Sequence, residues 1–234
     1  MSNEELHAEP KVEVRVTQDG SSTLYVPALN EHYHSTHGAV QEAQHVYLAA
    51  ALEPALTEMG EQIRVLEIGF GTGLNALLTL QRGLSAPQLI HYDTLEKYPL
   101  PPHVVAALGV ERYILNPELQ EFHYQLHAAP WNEAVPITSR FTLRKLHTAL
   151  QDFALPAAHY NVVYFDAFAP EKQPDMWTDA VFDQLFAATA PGGILTSYCA
   201  KGSFRRSLKA AGWVVEKIPG PPGKREMTRA RKLS

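Results

Sequence analysis

Glu67-Ile68-Gly69-Phe70-Gly71-Thr72-Gly73 is the stretch that decides the fold. Ahead of it, Ile63-Arg64-Val65-Leu66-Glu67-Ile68 is a short, mostly apolar run of strand character, and behind it residues 74–80 resume with helical spacing. A strand that ends in closely spaced glycines and turns directly into a helix lets a ligand approach the backbone and the helix N-terminus. Spacing narrows the ligand. A dinucleotide fingerprint would place its third glycine at position 74, where the chain has Leu74 and keeps Gly73 instead. No Lys-Ser or Lys-Thr pair follows the glycines, which excludes a phosphate-cradling P-loop.

Working outward, strands are expected over residues 89–95, 141–146, 162–165 and 193–198, with a helix at 103–108 after Pro99, Pro101 and Pro102. Strands alternating with helices imply an α/β fold whose mostly parallel sheet binds ligands at the strands' C-terminal ends. Residues 213–218 and 225–230, separated by Pro219-Gly220-Pro221-Pro222-Gly223, read as a terminal antiparallel pair. Upstream, residues 12–16 alternate apolar and polar, and Asp19-Gly20 turns into Thr23-Leu24-Tyr25-Val26, so an N-terminal β-hairpin is expected, followed by a helix over 39–56. The division implied is a hairpin-and-helix extension, 1–60, packed on a main domain, 61–234.

The 234 residues suit one domain, and 45% hydrophobic with 19% charged residues is globular composition. No apolar run is long enough to span a bilayer, and the acidic start Met1-Ser2-Asn3-Glu4-Glu5 resembles neither a secretory nor a transit signal, so a cytoplasmic location is expected. The single Cys199 leaves no disulfide and no Cys cluster, and His32, His34 and His37 lack partners at a familiar metal spacing, so no metal is expected. Charge is unevenly spread: the net is −5, yet from Lys201 onward ten Lys and Arg face only Glu216 and Glu226. Such a basic segment on an acidic body either steers a polyanion to one face or is a solvated tail.

Glu67 precedes the glycines, and a carboxylate there can accept from the ammonium of a zwitterionic ligand, a requirement that a methionine moiety meets. The next strand ends in Leu95-Glu96-Lys97, and Glu96 lies 23 residues past Gly73, near the roughly 20-residue offset at which an acid reaches a ribose hydroxyl pair. Together these point to S-adenosylmethionine, with Glu67, Gly69, Gly71, Gly73, Asn75, Glu96 and Lys97 as its candidate ligands. Residues 161–165 deliver Asp166-Ala167-Phe168-Ala169-Pro170 to the same sheet edge. Methyl transfer from a sulfonium to nitrogen is an in-line displacement that needs aligned atoms and a neutral amine. Asp166 is the candidate to hold that amine or take its proton, Phe168 to pack on a ring, and Pro170 to stiffen the loop. Met176 and Trp177 are substrate-side candidates whose alternative reading is plain core.

These residues resemble the bacterial tRNA (5-methylaminomethyl-2-thiouridine) methyltransferases, in the stand-alone form without the flavin-dependent oxidoreductase domain. The resemblance rests on the glycine turn continued through Leu74-Asn75, on Phe165-Asp166-Ala167-Phe168-Ala169-Pro170-Glu171-Lys172-Gln173-Pro174-Asp175-Met176-Trp177-Thr178, on Gly220-Pro221-Pro222-Gly223-Lys224-Arg225-Glu226-Met227, and on Asn30-Glu31-His32-Tyr33-His34-Ser35 with Gly38-Ala39. The glycine turn is common to many methyltransferases; the second and third motifs are far more specific. The resemblance implies a Rossmann-like class I methyltransferase fold, methylation of the exocyclic amine of 5-aminomethyl-2-thiouridine in tRNA with Asp166 on the acceptor side, and a separate enzyme that supplies the aminomethyl precursor. It also gives the basic segment a use: Lys172, Lys201, Arg205, Arg206, Lys224 and Arg225 become candidates for contacting the RNA. Around Leu146-His147-Thr148-Ala149-Leu150 the chain departs from many methyltransferases, which place an acid near the adenine, and no adenine contact is assigned. Two other functions compete: an N-methyltransferase or aminopropyltransferase of small amines, and a non-catalytic S-adenosylmethionine-binding subunit.

Overall fold

The computed structural model describes residues 11–233; the acidic residues 1–5, and with them the start of the 1–60 extension, lie outside the described residues. Three short strands open the chain: β1 (Glu13–Val16), β2 (Ser22–Val26) and β3 (Glu31–His32), joined antiparallel in that order. The expected hairpin is present, and β3 is an addition. Asp19 shapes its turn, accepting from Thr17 Oγ1 at 2.7 Å and Ser21 N at 3.0 Å, while its other oxygen accepts from Gln41 N at 3.1 Å in the first turn of the next helix. The helical run expected over 39–56 extends to 58 in three pieces: α1 (Ala39–Ala43), a π-helical stretch (Gln44–Leu52) and α2 (Glu53–Glu58). Within the π-helical stretch the Val46 carbonyl accepts from Thr196 Oγ1 at 2.7 Å, a side chain intruding on the helical ladder.

The main sheet is then built from β4 (Gln62–Ile68), α3 (Leu74–Leu84), β5 (Leu89–Glu96), α4 (Pro102–Ala107), α5 (Pro117–Ala128), β6 (Ala134–Pro136), β7 (Phe141–His147), β8 (Tyr160–Phe165), α6 (Asp179–Ala188), β9 (Thr189–Ser197), α7 (Gly202–Ala210), β10 (Val214–Pro219) and β11 (Glu226–Arg231). Its strand order is β10-β11-β9-β8-β4-β5-β7-β6. Strands β9, β8, β4, β5 and β7 run parallel, with the terminal pair β10-β11 antiparallel at one edge and β6 antiparallel at the other. Helices α5, α6 and α7 and strand β6 were not among the sequence expectations. From β4 the chain builds outward through β5 and β7, then returns to lay β8 on β4's other side. That reversal opens a crevice at the C-terminal ends of β4 and β8, where ligands bind in open α/β sheets. Residues on both sides of position 60 share one apolar core: Ala43, Val46 and Leu52 pack with Ile63, Val65, Leu77 and Tyr164. Among the described residues no helix is long and apolar enough to cross a membrane.

Candidate active site

Strand β4 ends at Ile68, in register with Phe165 of β8, so the glycine turn and Asp166 emerge side by side. Gly69, Gly71 and Gly73 take φ of 95°, 50° and 72°, a region that L side chains rarely adopt. Space adds a second constraint: a Cβ on Gly69 would meet the Asp166 carbonyl at 3.2 Å, and one on Gly71 would meet the Tyr33 ring at 3.0 Å. The turn floors a cavity of about 770 Å³ roofed by the segment around β3, including Tyr33 and His34, and walled by the ends of β5, β7 and β8.

Of the donor-side candidates, Gly69, Gly71, Asn75, Glu96 and Lys97 line this cavity. The Glu96 carboxylate accepts from Gly71 N at 3.1 Å through one oxygen and from Tyr98 N at 2.8 Å through the other. Each oxygen retains a lone pair for a hydroxyl donor. Burial raises the Glu96 pKa, against the pull of the Tyr98, Gly71 and Lys97 amides. Gly73 sits behind the cavity as the N-cap of α3, and Lys97 projects outward with its ammonium over the Tyr98 ring at 5.2 Å.

Glu67 differs from the sequence expectation. It is 0% exposed, is not part of the cavity lining, and neither carboxylate oxygen has a hydrogen-bonding partner. Alternation along β4 explains this: Ile63, Val65 and Glu67 share the face covered by α3, and Leu66 and Ile68 the other. Burial pushes its carboxyl well above the ordinary range, and Glu67 lies beneath the turn rather than in the cavity wall.

On the acceptor side, Asp166, Phe168, Lys172 and Met176 line the same cavity. Asn75 Nδ2 donates to Asp166 Oδ2 at 2.9 Å, which joins the helix after the glycine turn to the acid after β8. The Asp166 pKa is raised by burial, with His34, Tyr47 and Asn75 pulling it down and Glu42 pushing it up. Phe168 meets Tyr33 edge to face at a centroid distance of 5.2 Å. Trp177 lies behind the loop, donating from Nε1 to the Phe168 carbonyl at 2.8 Å and packing on Phe165 and Phe204. It sets the loop's position from outside the cavity. Beside the cavity a shallower depression is lined by Pro170, Cys199, Lys201, Lys224 and Arg225, and Cys199 is buried.

The basic segment is corrected most. Arg205 is 7% exposed; its guanidinium donates to Thr228 Oγ1 at 3.0 Å, Glu226 Oε2 at 3.0 Å and the Met227 carbonyl at 3.1 Å, so it cannot meet a phosphate. Lys224 pairs with Glu42 at 2.9 Å and lies over the Tyr198 ring at 4.1 Å, Lys201 pairs with Glu171, Arg229 with Glu216, and Arg231 with Glu58. Lys232 caps the Phe186 and Thr189 carbonyls. Arg206 and Arg225 are exposed and have no ion-pair partner among the described residues. Much of the charge excess therefore holds the C-terminal strands and α7 in place.

Sequence reasoning assigned no role to Thr72, Thr148, Gln151 and Tyr198, all in the cavity wall. Thr72 stood inside the quoted turn, and Tyr198 ends an expected strand; nothing marked Gln151.

Residues 118–233 match the family model described as S-adenosyl-L-methionine-dependent methyltransferase. The fold matches the crystal structure of MNMC2 from Aquifex aeolicus with a TM-score of 0.75 and 25% identity, over 100% of this chain and 78% of that one. The C-terminal stretch of the chain is thus similar to S-adenosyl-L-methionine-dependent methyltransferases. The chain is 34% identical, over 92% of its length, to the tRNA 5-methylaminomethyl-2-thiouridine biosynthesis bifunctional protein MnmC of Cupriavidus metallidurans, and covers 33% of that protein. With the protein of the same name from Pseudomonas aeruginosa it shares 33% identity over 86% of its own chain and 32% of that protein's. The chain thus spans about a third of the length of these curated relatives. Its cavity fits the donor: a side-chain-free glycine floor, a carboxylate with free lone pairs at Glu96, and an acid across the crevice at Asp166.

Proposed function

We propose that this chain is a methyltransferase that acts on tRNA, methylating the exocyclic amine of 5-aminomethyl-2-thiouridine to give 5-methylaminomethyl-2-thiouridine. The observation that carries this reading is Asp166, half-buried, anchored by Asn75 and sharing one cavity with the glycine turn and Glu96. The name of the bacterial relatives supplies the substrate class.

S-adenosylmethionine supplies an electrophilic methyl group when bound. Glu96 would hold the ribose hydroxyls, and Gly69 and Gly71 allow close approach of the donor to the turn. Asp166 accepts a proton from the substrate's ammonium, freeing the nitrogen lone pair for attack on the methyl carbon. A carboxylate whose pKa is raised is a better base for that step than an exposed one. With Asn75 on Oδ2, Oδ1 is left for the amine. Phe168 and Tyr33 offer aromatic edges to a base, while Arg206 and Arg225, with Lys172 nearer the cavity, supply cations for phosphates. The amine must be made beforehand by a reaction that leaves an aminomethyl group on the uridine.

The test is S-adenosylhomocysteine formation by the purified protein with undermodified tRNA or with a panel of small primary amines. Product with tRNA alone supports the reading. Product with the small amines and none with tRNA overturns it.

A further inference from the structure

The peptide carbonyl of Thr72, at the middle of the glycine turn, accepts two hydrogen bonds from one helix: His123 Nε2 at 3.0 Å and His127 Nε2 at 2.9 Å. A carbonyl oxygen only accepts, so both imidazoles carry a proton on Nε2. The two histidines sit four residues apart on α5 and so share one face of it. His123 Nδ1 is buried with no partner, as suits a neutral ring. Burial lowers the pKa of both, and together with His123 and Lys145 it brings that of His127 down to about 3. From the roof, His34 Nε2 meets the hydroxyl of the same residue, Thr72 Oγ1, at 2.8 Å. Behind the clamp, Lys145 Nζ donates to the His127 carbonyl at 2.6 Å and lies over the Trp131 ring at 4.6 Å.

The turn needs such a hold. Three left-handed glycines within five residues give the segment many alternatives to the donor-binding shape. Its other backbone N–H fixings are three: Gly69 N on the Leu95 carbonyl at 2.9 Å, Gly71 N on Glu96, and Gly73 N on the Phe70 carbonyl at 2.9 Å. Gly73 also makes room for the clamp, because a Cβ there would lie 2.8 Å from His127 Nε2. We propose that His123 and His127 are positioning residues for the methyl donor: by holding the Thr72 carbonyl on the α5 side, they keep the glycine turn in its donor-binding shape. Neither residue lines the cavity. The proposal rests on the methyl donor and not on the identity of the acceptor.

The experiment measures donor affinity by calorimetry and turnover at saturating donor in two double variants, with thermal unfolding as the check on folding. His123→Leu/His127→Leu removes both donors from a buried carbonyl and should weaken S-adenosylmethionine binding about tenfold or more, with kcat within about threefold of the parent. His123→Gln/His127→Gln keeps an amide N–H near each Nε2 position and should restore most of the affinity. Leucine variants that unfold early yet bind the donor within about twofold of the parent would make the clamp merely structural and sink the proposal, as would glutamine variants as weak as the leucine ones. Should the leucine variants fail to fold, the imidazole ¹⁵N spectrum of the parent protein decides at neutral pH: two Nε2–H tautomers support the clamp, and an Nδ1–H tautomer at either position overturns it.

Discussion

Asp166 and Glu96 divide the chemistry between two carboxyls that burial affects in the same direction but geometry uses differently. Glu96 holds two backbone N–H groups and faces the cavity, whereas Asp166 has Asn75 on one oxygen. Glu96→Ala should weaken S-adenosylmethionine binding about tenfold or more, the scale of losing hydrogen bonds to a charged acceptor, as read by calorimetry. Asp166→Asn should leave that affinity within a few-fold and cut turnover about 10²-fold, the usual scale of acid–base help. Because burial raises the Asp166 pKa, turnover at saturating donor should climb with pH as this carboxyl ionises, at values above those of an exposed aspartate. A pH profile of Asp166→Asn that keeps the same acidic limb would assign the limb to another group. Glu67 shows where residue-level reading failed: its type and position suggested an ammonium ligand, but strand alternation aims it under the turn, away from the cavity.

Helices α5 and α7 went unread in the sequence, for related reasons. The buried face of α5 carries His123 beside Leu119 and Leu126, and that of α7 carries Arg205 beside Phe204 and Leu208, so the apolar period is interrupted by polar residues with specific partners. By contrast, β4, β5 and β8 were legible because their apolar runs end in residues that mark a turn: the glycines, Glu96-Lys97 and Asp166-Ala167. The two helices carry their own predictions. Arg205→Met removes three hydrogen bonds, two of them buried, and should destabilise the fold by more than about 1 kcal/mol, whereas Arg206→Glu on the exposed face should shift stability by less than about 0.5 kcal/mol. Tight RNA binding retained by Arg206→Glu/Arg225→Glu in a gel-shift titration would remove these two cations from the RNA interface. For α5 the sign of the pH dependence is fixed. His123 and His127 titrate below 6.5 in the fold, so below about pH 6.5 the unfolded chain takes up protons that the folded one refuses, and their contribution is lost as pH falls toward 3. The raised carboxyls Glu67, Glu96 and Asp166 act in the opposite sense, each favouring the fold as it takes up a proton. The readout is therefore a difference: the thermal midpoint of the parent should fall more steeply below about pH 6.5 than that of His127→Gln, and parallel curves would contradict the assignment.

At the scale of the whole molecule, the reversal of strand order between β4 and β8 places the glycine turn and Asp166 at one crevice, and the antiparallel pair β10-β11 carries Lys224 and Arg225 to its rim. The N-terminal strands roof that crevice through Tyr33 and His34, a contribution foreshadowed only by the motif at residues 30–35. The α/β class and the parallel core were legible because the central strands are short apolar runs that end in turn-marking residues, and the terminal pair because Pro219-Gly220-Pro221-Pro222-Gly223 separates its strands. The roof was not, because two-residue β3 has no periodicity to read. The most direct measurement is methyl transfer from labelled S-adenosylmethionine to tRNA lacking its final wobble modification, with digestion to nucleosides. Label in 5-methylaminomethyl-2-thiouridine is the expected result; unlabelled tRNA from protein that binds the donor would contradict the proposed function.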